Sequence, residues 1–158
     1  MTKLCYYDSP IGRLRLFENG KGITLIKFAS DPMIQPTITE ANTPLLLEAV
    51  KQLTDYFSGR LKEFTLPLDL RGTDFQLRTW NALRDIPYGE TRSYKQIAET
   101  IGCPKGFRAV GLANNRNPVS IVIPCHRVIG ANGSLTGYAG GLDIKERLLA
   151  HEKKHLYR

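Results

Sequence analysis

Hydrophobic and polar positions alternate along the first thirty residues in a way that is typical of short strands. Three apolar runs, at residues 4–7, 14–17 and 23–28, are separated by residues 9–12 and 19–22, which hold Gly, Pro and Asn. Such connections favour tight turns, so the pattern predicts an antiparallel three-stranded meander.

The rest of the first half predicts one helix and one further strand. A Pro-containing loop at residues 31–43 leads to a stretch with apolar residues at helical spacing up to Gly59, in which Thr43 is suited to the N-cap and Pro44 to the first helical position. Apolar residues then alternate strictly over residues 64–70, which predicts a strand, and Pro67 places it at a sheet edge.

The second half carries helical patterns with clear start signals. Thr73-x-x-Gln76 and Ser93-x-x-Gln96 are capping-box sequences, the first followed by an apolar face that runs to Pro87. A third short helix is predicted from residue 107 to about 114, with Ala109, Val110 and Ala113 buried. A last helix is expected to begin with Asp143-x-x-Glu146.

The two short helices at residues 93–101 and 107–114 are joined by a Gly/Pro turn. This arrangement resembles a helix-turn-helix, in which the second helix enters a DNA groove. An ordinary helical hairpin gives the same sequence pattern. The pattern alone therefore leaves both interpretations open.

Charge favours a polyanionic partner for the second half. The chain of 158 residues has a net charge of +7. Residues 1–72 hold 9 basic and 8 acidic residues, a net of +1, and residues 73–158 hold 13 and 7, a net of +6. A basic surface gains binding energy when phosphates release condensed counterions, although a solvated basic surface without a partner fits the charge as well.

The candidate chemistry lies in one apolar segment, residues 117–130, which places Cys125, His126 and Arg127 side by side. A cysteine is nucleophilic as the thiolate, which a nearby imidazole or cation favours. Adjacent side chains of an extended chain point to opposite faces, so direct contact between Cys125 and His126 would require a bend after Pro124. Adjacency alone is also compatible with a buried structural cysteine beside a surface histidine.

Metal and disulfide chemistry are not expected. The three cysteines are widely spaced and form no Cys-x-x-Cys pair, and all three histidines follow residue 125. The N-terminus has no signal-peptide layout and no run of apolar residues is long enough to span a membrane, so a cytoplasmic protein with reduced thiols is expected.

The segment Ile123-Pro124-Cys125-His126-Arg127-Val128-Ile129 resembles the active-site signature of the O6-alkylguanine-DNA alkyltransferases of the bacterial methylated-DNA–protein-cysteine methyltransferase type. The resemblance covers roughly residues 67–152 in order. Its further motifs are Thr73-Asp74-Phe75-Gln76, Trp80, residues 86–94, Arg108-Ala109-Val110-Gly111, Asn117-Pro118, residues 137–141 and Leu148-Leu149-Ala150-His151-Glu152.

The resemblance implies a set of site residues. Cys125 would be the nucleophile that takes the alkyl group from guanine O6, His126 its base through a water, and Glu152 the group that orients His126. Asn117 would pin the turn before the active-site segment, and Tyr94 would contact a phosphate and donate a proton to guanine N3. The remaining implied residues are Arg108, which fills the gap left by the flipped base, Lys95 and Lys105 as DNA contacts, and Tyr138, Ala139, Gly140 and Val128 as the base pocket.

The same resemblance implies an α+β fold in two domains. Residues 1–72 would form a ribonuclease H-like scaffold of antiparallel sheet and helix. Residues 73–158 would form a mostly helical, winged-helix-like domain that binds DNA and accepts the alkyl group. Some family members hold zinc in the first domain, but this chain lacks the ligands, so no metal or cofactor is expected.

The implied function is repair of O6-alkylguanine, and also O4-alkylthymine, in double-stranded DNA by a monomer that reacts once. Such a reaction requires the damaged nucleotide to leave the base stack, because O6 of a stacked guanine is out of reach of a buried thiolate. Two other classes share part of the pattern. Alkyltransferase-like proteins bind alkylated DNA without a nucleophile, which the presence of Cys125 argues against, and a Cys-His hydrolase turns over many times.

Overall fold

A computed structural model describes residues 2–29, 39–138 and 140–157. The chain divides into two compact units, the first ending at Arg71 and the second running from Gly72 to Tyr157. Of the predicted loop at residues 31–43, residues 31–38 lie outside the described part of the chain.

The first unit is built on a sheet of four strands. These are β1 (Lys3–Ser9), β2 (Gly12–Glu18), β3 (Ile23–Phe28) and the short β4 (Thr39–Glu40), in the order β3-β2-β1-β4. The antiparallel pairs β1–β2 and β2–β3 confirm the predicted meander, and β4 adds to β1 in parallel.

Helix α1 (Pro44–Phe57) begins as the sequence predicts. The Thr43 hydroxyl accepts a hydrogen bond from the Leu46 amide, and Pro44 takes the first helical position. Leu46, Ala49 and Leu53 on one helix face are completely buried, as are the sheet residues Leu14, Leu16, Ile23 and Ile26. Burial of these apolar side chains supplies the core of the first unit.

The predicted strand at residues 64–70 is wrong in extent. Only Leu68 forms a bridge, in parallel with Ile23, where the Ile23 amide donates to the Pro67 carbonyl at 2.8 Å. The backbone of residues 67–69 passes so close to Gly22 that a Cβ there would meet it at 2.9 Å. Alternating apolar residues reflect burial on one side here rather than a strand ladder.

The second unit is mainly helical. Its elements are α2 (Asp74–Arg84), β5 (Arg92–Ser93), α3 (Tyr94–Thr100), α4 (Phe107–Asn115), a 3-10 turn (Cys125–Arg127), β6 (Val128–Ile129) and α5 (Leu142–Lys154). Both predicted capping boxes are confirmed, with reciprocal bonds between Thr73 and Gln76 and between Ser93 and Gln96. Together with the sheet of the first unit, these helices confirm the α+β class.

Two local predictions for the second unit are wrong. Helix α5 begins at Leu142 after Gly141, so Asp143 lies in the first turn instead of capping the helix. Ala109 is exposed, whereas Val110 and Ala113 on α4 are buried as predicted. A short apolar stretch with small residues does not define which of its alanines faces inward.

Strands β5 and β6 bring distant parts of the second unit together. They pair in parallel, with Arg92 opposite Val128 and Ser93 opposite Ile129. Because α3 begins directly after β5, this pairing places its first residue, Tyr94, beside the segment that carries Cys125. Among the described residues, no helix is long and apolar enough to cross a membrane.

Candidate active site

Asn117 closes the loop that precedes Cys125. Its amide nitrogen donates to the Ile123 carbonyl at 2.7 Å, and its amide oxygen accepts from the Val119 amide at 2.9 Å. The residue is almost fully buried. A buried asparagine that satisfies two backbone groups fixes the course of residues 117–123.

The segment then turns sharply twice. The Val122 amide donates to the Ser120 carbonyl at 2.9 Å, which leaves Ile121 between them with a φ of 74°. The Cys125 amide donates to the Ile123 carbonyl at 2.8 Å around Pro124, after which the 3-10 turn begins. A positive φ at a β-branched residue costs roughly 1–3 kcal/mol, and such strain clusters at functional sites. These turns supply the bend at Pro124 that contact between Cys125 and His126 requires.

Cys125 is held in a buried position, with 4% of its surface exposed. Its carbonyl accepts a hydrogen bond of 3.3 Å from the side-chain amide of Asn114, at the end of α4. The thiol therefore belongs to a rigid turn that is tied to helix α4.

Glu152 is the centre of a buried polar network. One carboxylate oxygen accepts from His126 Nε2 at 2.6 Å and from Arg127 Nη2 at 3.0 Å. The other accepts from Arg127 Nε at 2.8 Å and from the Gly89 amide at 3.2 Å. Arg127 also donates to the Ile86 carbonyl at 2.7 Å. Charge-assisted bonds of this kind are short and strong, and here they fix the His126 ring.

The network sets the protonation states of Glu152 and His126. Burial opposes ionisation of Glu152, but His126 and Arg127 outweigh it and hold the pKa of the carboxyl well below its usual range. Complete burial lowers the pKa of His126, against the attraction of Glu152. Because the ionised carboxylate only accepts, neutral His126 donates through Nε2, and its Nδ1 keeps a lone pair that can take a proton.

A second cluster joins α3, α5 and the loop between β6 and α5. The Tyr94 hydroxyl and Lys145 Nζ both donate to the Thr136 carbonyl, each at 2.8 Å. Lys145 is fully buried, and burial lowers its pKa to about 8, although the nearby Cys125 acts in the opposite direction. Burial also raises the pKa of the Tyr94 hydroxyl, which therefore keeps its proton at neutral pH.

The residues expected to form a base pocket lie on the same loop and on β6. Tyr138 and Val128 are buried, with 9% and 0% of their surfaces exposed, and Gly140 is partly exposed. Burial raises the pKa of the Tyr138 hydroxyl well above its usual range. Ala139 lies outside the described residues.

The candidate DNA-binding residues lie on the surface. Arg108 on α4, Lys105 in the turn before it and Lys95 on α3 are all exposed. The outer face of α4 also exposes Phe107 and Leu112, while Val110 is buried toward α3 and α2. An exposed second helix with a cation on it is the arrangement that a helix-turn-helix offers to a groove.

The sequence analysis missed three residues. The sequence predicts no role for Arg127 beyond its place next to Cys125, and it predicts none for Lys145 or Asn114. Lys145, Leu148 and Glu152 follow helical spacing on one face of α5, and Asn114 shares the inner face of α4 with Val110. A polar residue on an apolar helix face is a detectable signal. Among the described residues, no three His, Cys, Asp or Glu side chains come together as a metal site.

Comparison with known proteins covers both units. Residues 74–154 match the family described as 6-O-methylguanine DNA methyltransferase, DNA binding domain, and residues 3–70 match the ribonuclease-like domain of the same enzyme group. A methylated-DNA–protein-cysteine methyltransferase of Methanosarcina barkeri is 54% identical over 156 residues, which is 96% of this chain and 99% of the relative. One of Mycolicibacterium paratuberculosis is 55% identical over 94% of this chain and 90% of the relative.

A solved structure is similar over nearly the whole chain. The crystal structure of Mycobacterium tuberculosis OGT in complex with DNA has a TM-score of 0.90 and 50% sequence identity, covering 98% of this chain and 93% of that chain. This likeness and the domain match confirm the expected ribonuclease-like first unit and the helical second unit.

Proposed function

This chain belongs to the family of methylated-DNA–protein-cysteine methyltransferases, and on that premise we propose that it repairs O6-alkylguanine in DNA by moving the alkyl group onto its own Cys125. The observation that carries the proposal is the 2.6 Å bond between His126 and Glu152 next to a buried Cys125. This is the base and orienting carboxylate that an activated nucleophile needs.

The proton of the thiol passes to His126. With Nε2 committed to Glu152, the lone pair on Nδ1 is the acceptor, reached through a bridging water. The resulting imidazolium is stabilised by the carboxylate, which stays ionised throughout. Arg127 holds both carboxylate oxygens, so that Glu152 cannot turn away as the charge develops.

The sulfur then attacks the alkyl carbon on O6 in line with the carbon–oxygen bond. That bond breaks as the carbon–sulfur bond forms, and its electron pair passes into the guanine. The leaving base gains a proton at N3, for which Tyr94 is the proposed donor because its raised pKa keeps the hydroxyl protonated. Tyr94 gives up its bond to the Thr136 carbonyl when it does so.

The reaction happens once per molecule. A cysteine thioether is a poor leaving group, unlike the acyl-enzyme of a hydrolase, and water does not displace it. The product is therefore an inactive alkylated protein, and the repair is irreversible and stoichiometric.

DNA is bound through the second unit. Helix α4 enters a groove, with Lys95 and Lys105 contacting phosphates and Arg108 occupying the gap that the extruded nucleotide leaves. Extrusion costs a few kcal/mol, which an inserted cation offsets in part. The flipped base enters a pocket lined by Tyr138, Gly140 and Val128, together with Ala139, and the first unit serves as a scaffold.

One acceptor cysteine for one lesion requires no second subunit, so we propose a monomer. The chain has three cysteines, an odd number at wide spacing, and we propose that it works in the cytoplasm, where thiols stay reduced.

Transfer of a labelled methyl group from an O6-methylguanine duplex to the protein tests the proposal. Label is expected on wild type and on Cys103→Ser, the matched control, and not on Cys125→Ser, which still binds the duplex. Label on Cys125→Ser, or none on wild type, contradicts the proposal.

A further inference from the structure

Asn114 occupies an unusual place for a residue of the DNA-facing helix. It lies in the last turn of α4, and only 1% of its surface is exposed. Its side-chain nitrogen donates to the Cys125 carbonyl, and the preceding residue, Ala113, is fixed by a 2.9 Å bond from the Trp80 indole to its carbonyl. The Asn114 side chain therefore contacts the backbone of Cys125 and does not lie on the exposed face of α4.

The orientation of the Asn114 amide follows from its partner. A carbonyl only accepts, so the NH₂ group faces Cys125 and the amide oxygen points the other way. That oxygen is buried and has no hydrogen-bond partner among the residues that the structure describes. A buried acceptor left in this state costs roughly 1–3 kcal/mol, so a native protein rarely keeps one without a reason.

His126 holds a second buried acceptor without a hydrogen-bond partner among the described residues. His126 Nδ1 has no partner within the described part of the chain either, and it belongs to the residue that follows Cys125. Both acceptors thus belong to residues linked to Cys125: Asn114 donates to the Cys125 carbonyl, and His126 is its neighbour in the chain. A water molecule has two hydrogens to donate, which is what two such acceptors require.

We propose that Asn114 is a positioning residue for alkyl transfer, whose amide oxygen and His126 Nδ1 take the two hydrogens of one water. With both hydrogens committed, only the lone pairs of this water face the Cys125 thiol. The thiol proton then has one route: sulfur donates to the water oxygen, and the water passes a hydrogen to Nδ1. The inference rests on the proposed role of Cys125 and adds a residue that the Cys125–His126–Glu152 set does not contain.

Alkylation of Cys125 by iodoacetamide tests this role without DNA. The thiolate displaces iodide, so the pH–rate profile reports how readily the thiol gives up its proton. Asn114→Ala is expected to slow the reaction at pH 7 about fivefold, which converts to about 1 kcal/mol, the net value of one hydrogen bond. The profile shifts to higher pH, and Asn114→Asp shifts it further because a carboxylate opposes the thiolate.

Asn115→Ala is the matched control, since Asn115 is the next residue of α4 and is exposed. Peptide mapping restricts the rate to Cys125, and duplex affinity should match wild type in both Asn114 variants. A crystal structure of the unmodified wild type gives a check that needs no variant, namely a water within hydrogen-bond distance of Asn114 Oδ1 and His126 Nδ1.

Unchanged profiles in Asn114→Ala and Asn114→Asp, or a crystal structure without the shared water, overturn the inference. If the wild type takes no methyl group from DNA while the profiles shift as expected, the proposed function fails and the positioning of the water stands. The two failures are therefore distinguishable.

Discussion

Replacement of Glu152 by glutamine changes one oxygen to an NH₂ group and removes a charge at constant shape. Each carboxylate oxygen accepts two hydrogen bonds from nitrogen donors, so an amide nitrogen at either position faces two donors. Whichever way the amide turns, two donors that a carboxylate oxygen satisfies in the wild type face an NH₂ group instead. Arg127, whose side chain is 7% exposed, keeps its charge without the carboxylate that neutralises it.

The energetic cost follows from that buried charge. Removing one partner of a buried ion pair costs about 3–5 kcal/mol, because the remaining charge is left uncompensated. For a chain of this size, such a loss lowers the unfolding midpoint by roughly 6–20 °C. We expect Glu152→Gln to fold and to melt lower by this amount.

The reaction rate should fall for a separate reason. With its NH₂ group toward His126, the amide donates to Nε2, which moves the ring proton to Nδ1 and removes the acceptor for the thiol proton. With its oxygen toward His126, the amide accepts from Nε2 as the carboxylate does, but it lacks the charge that stabilises the imidazolium. The corresponding exchange in a serine-protease triad lowers the rate about 10⁴-fold. We expect methyl transfer from an O6-methylguanine duplex, measured by rapid quench at a temperature where the variant is folded, to slow by about 10²–10⁴-fold.

The control is Glu146→Gln, the same chemical change at an exposed position of α5. It should leave both midpoint and rate near wild type. The pKa of Glu152 is held below its ordinary value of 4.5, so its stabilising charge is fully present above about pH 4.5 and is lost as the pH falls through the folded pKa. Glu152→Gln should lack this pH-dependent contribution to the free energy of unfolding. A variant within threefold of wild type in rate and within 1 °C in midpoint would refute the reasoning.

Three further predictions concern DNA, Lys145 and the product. Arg108→Ala should slow repair of duplex DNA far more than reaction with free O6-alkylguanine, which needs no flipping. Lys105→Ala should instead weaken duplex binding, by an amount that shrinks at high salt. Equal losses of Arg108→Ala on both substrates would place Arg108 in the pocket. The pKa of buried Lys145 is lowered from 10.5 to about 8, so the unfolded chain binds more protons between these values and stability rises with pH there. Urea unfolding from pH 8 to 9.5 should show this rise in wild type and lose it in Lys145→Met. Methylated protein should melt lower than unmodified protein in calorimetry, since an added methyl in a packed site costs about 1–3 kcal/mol, and an equal or higher midpoint would contradict that packing argument.

Local signals in the sequence predicted the elements best. The capping boxes at Thr73 and Ser93 were correct because a cap depends on residues three apart. The strand at residues 64–70 was not, because a ladder depends on what lies alongside, and here only Leu68 meets β3. Helix α5 begins one residue before the predicted Asp143, because its N-cap is Gly141, which has a φ of 99° and no side chain to cap the helix.

In the site, too, local features were predicted from the sequence and long-range contacts were not. The adjacency of Cys125 and His126 was visible, and so was the need for a bend at Pro124. The partnership of Arg127 with Glu152 joins residues 25 apart, and the contact between Asn114 and Cys125 crosses from α4 to the 3-10 turn. Neither contact could be predicted from the spacing of the two residues in the sequence. Tertiary packing decides which buried polar groups meet.

The most direct test of the account is the stoichiometry of alkylation. Wild-type protein incubated with an excess of O6-methylguanine duplex should gain one methylene unit in intact mass, with the added methyl on the peptide containing Cys125, and should release one repaired duplex per protein molecule. More than one repaired duplex per molecule, or the methyl group on Cys5 or Cys103, would contradict it.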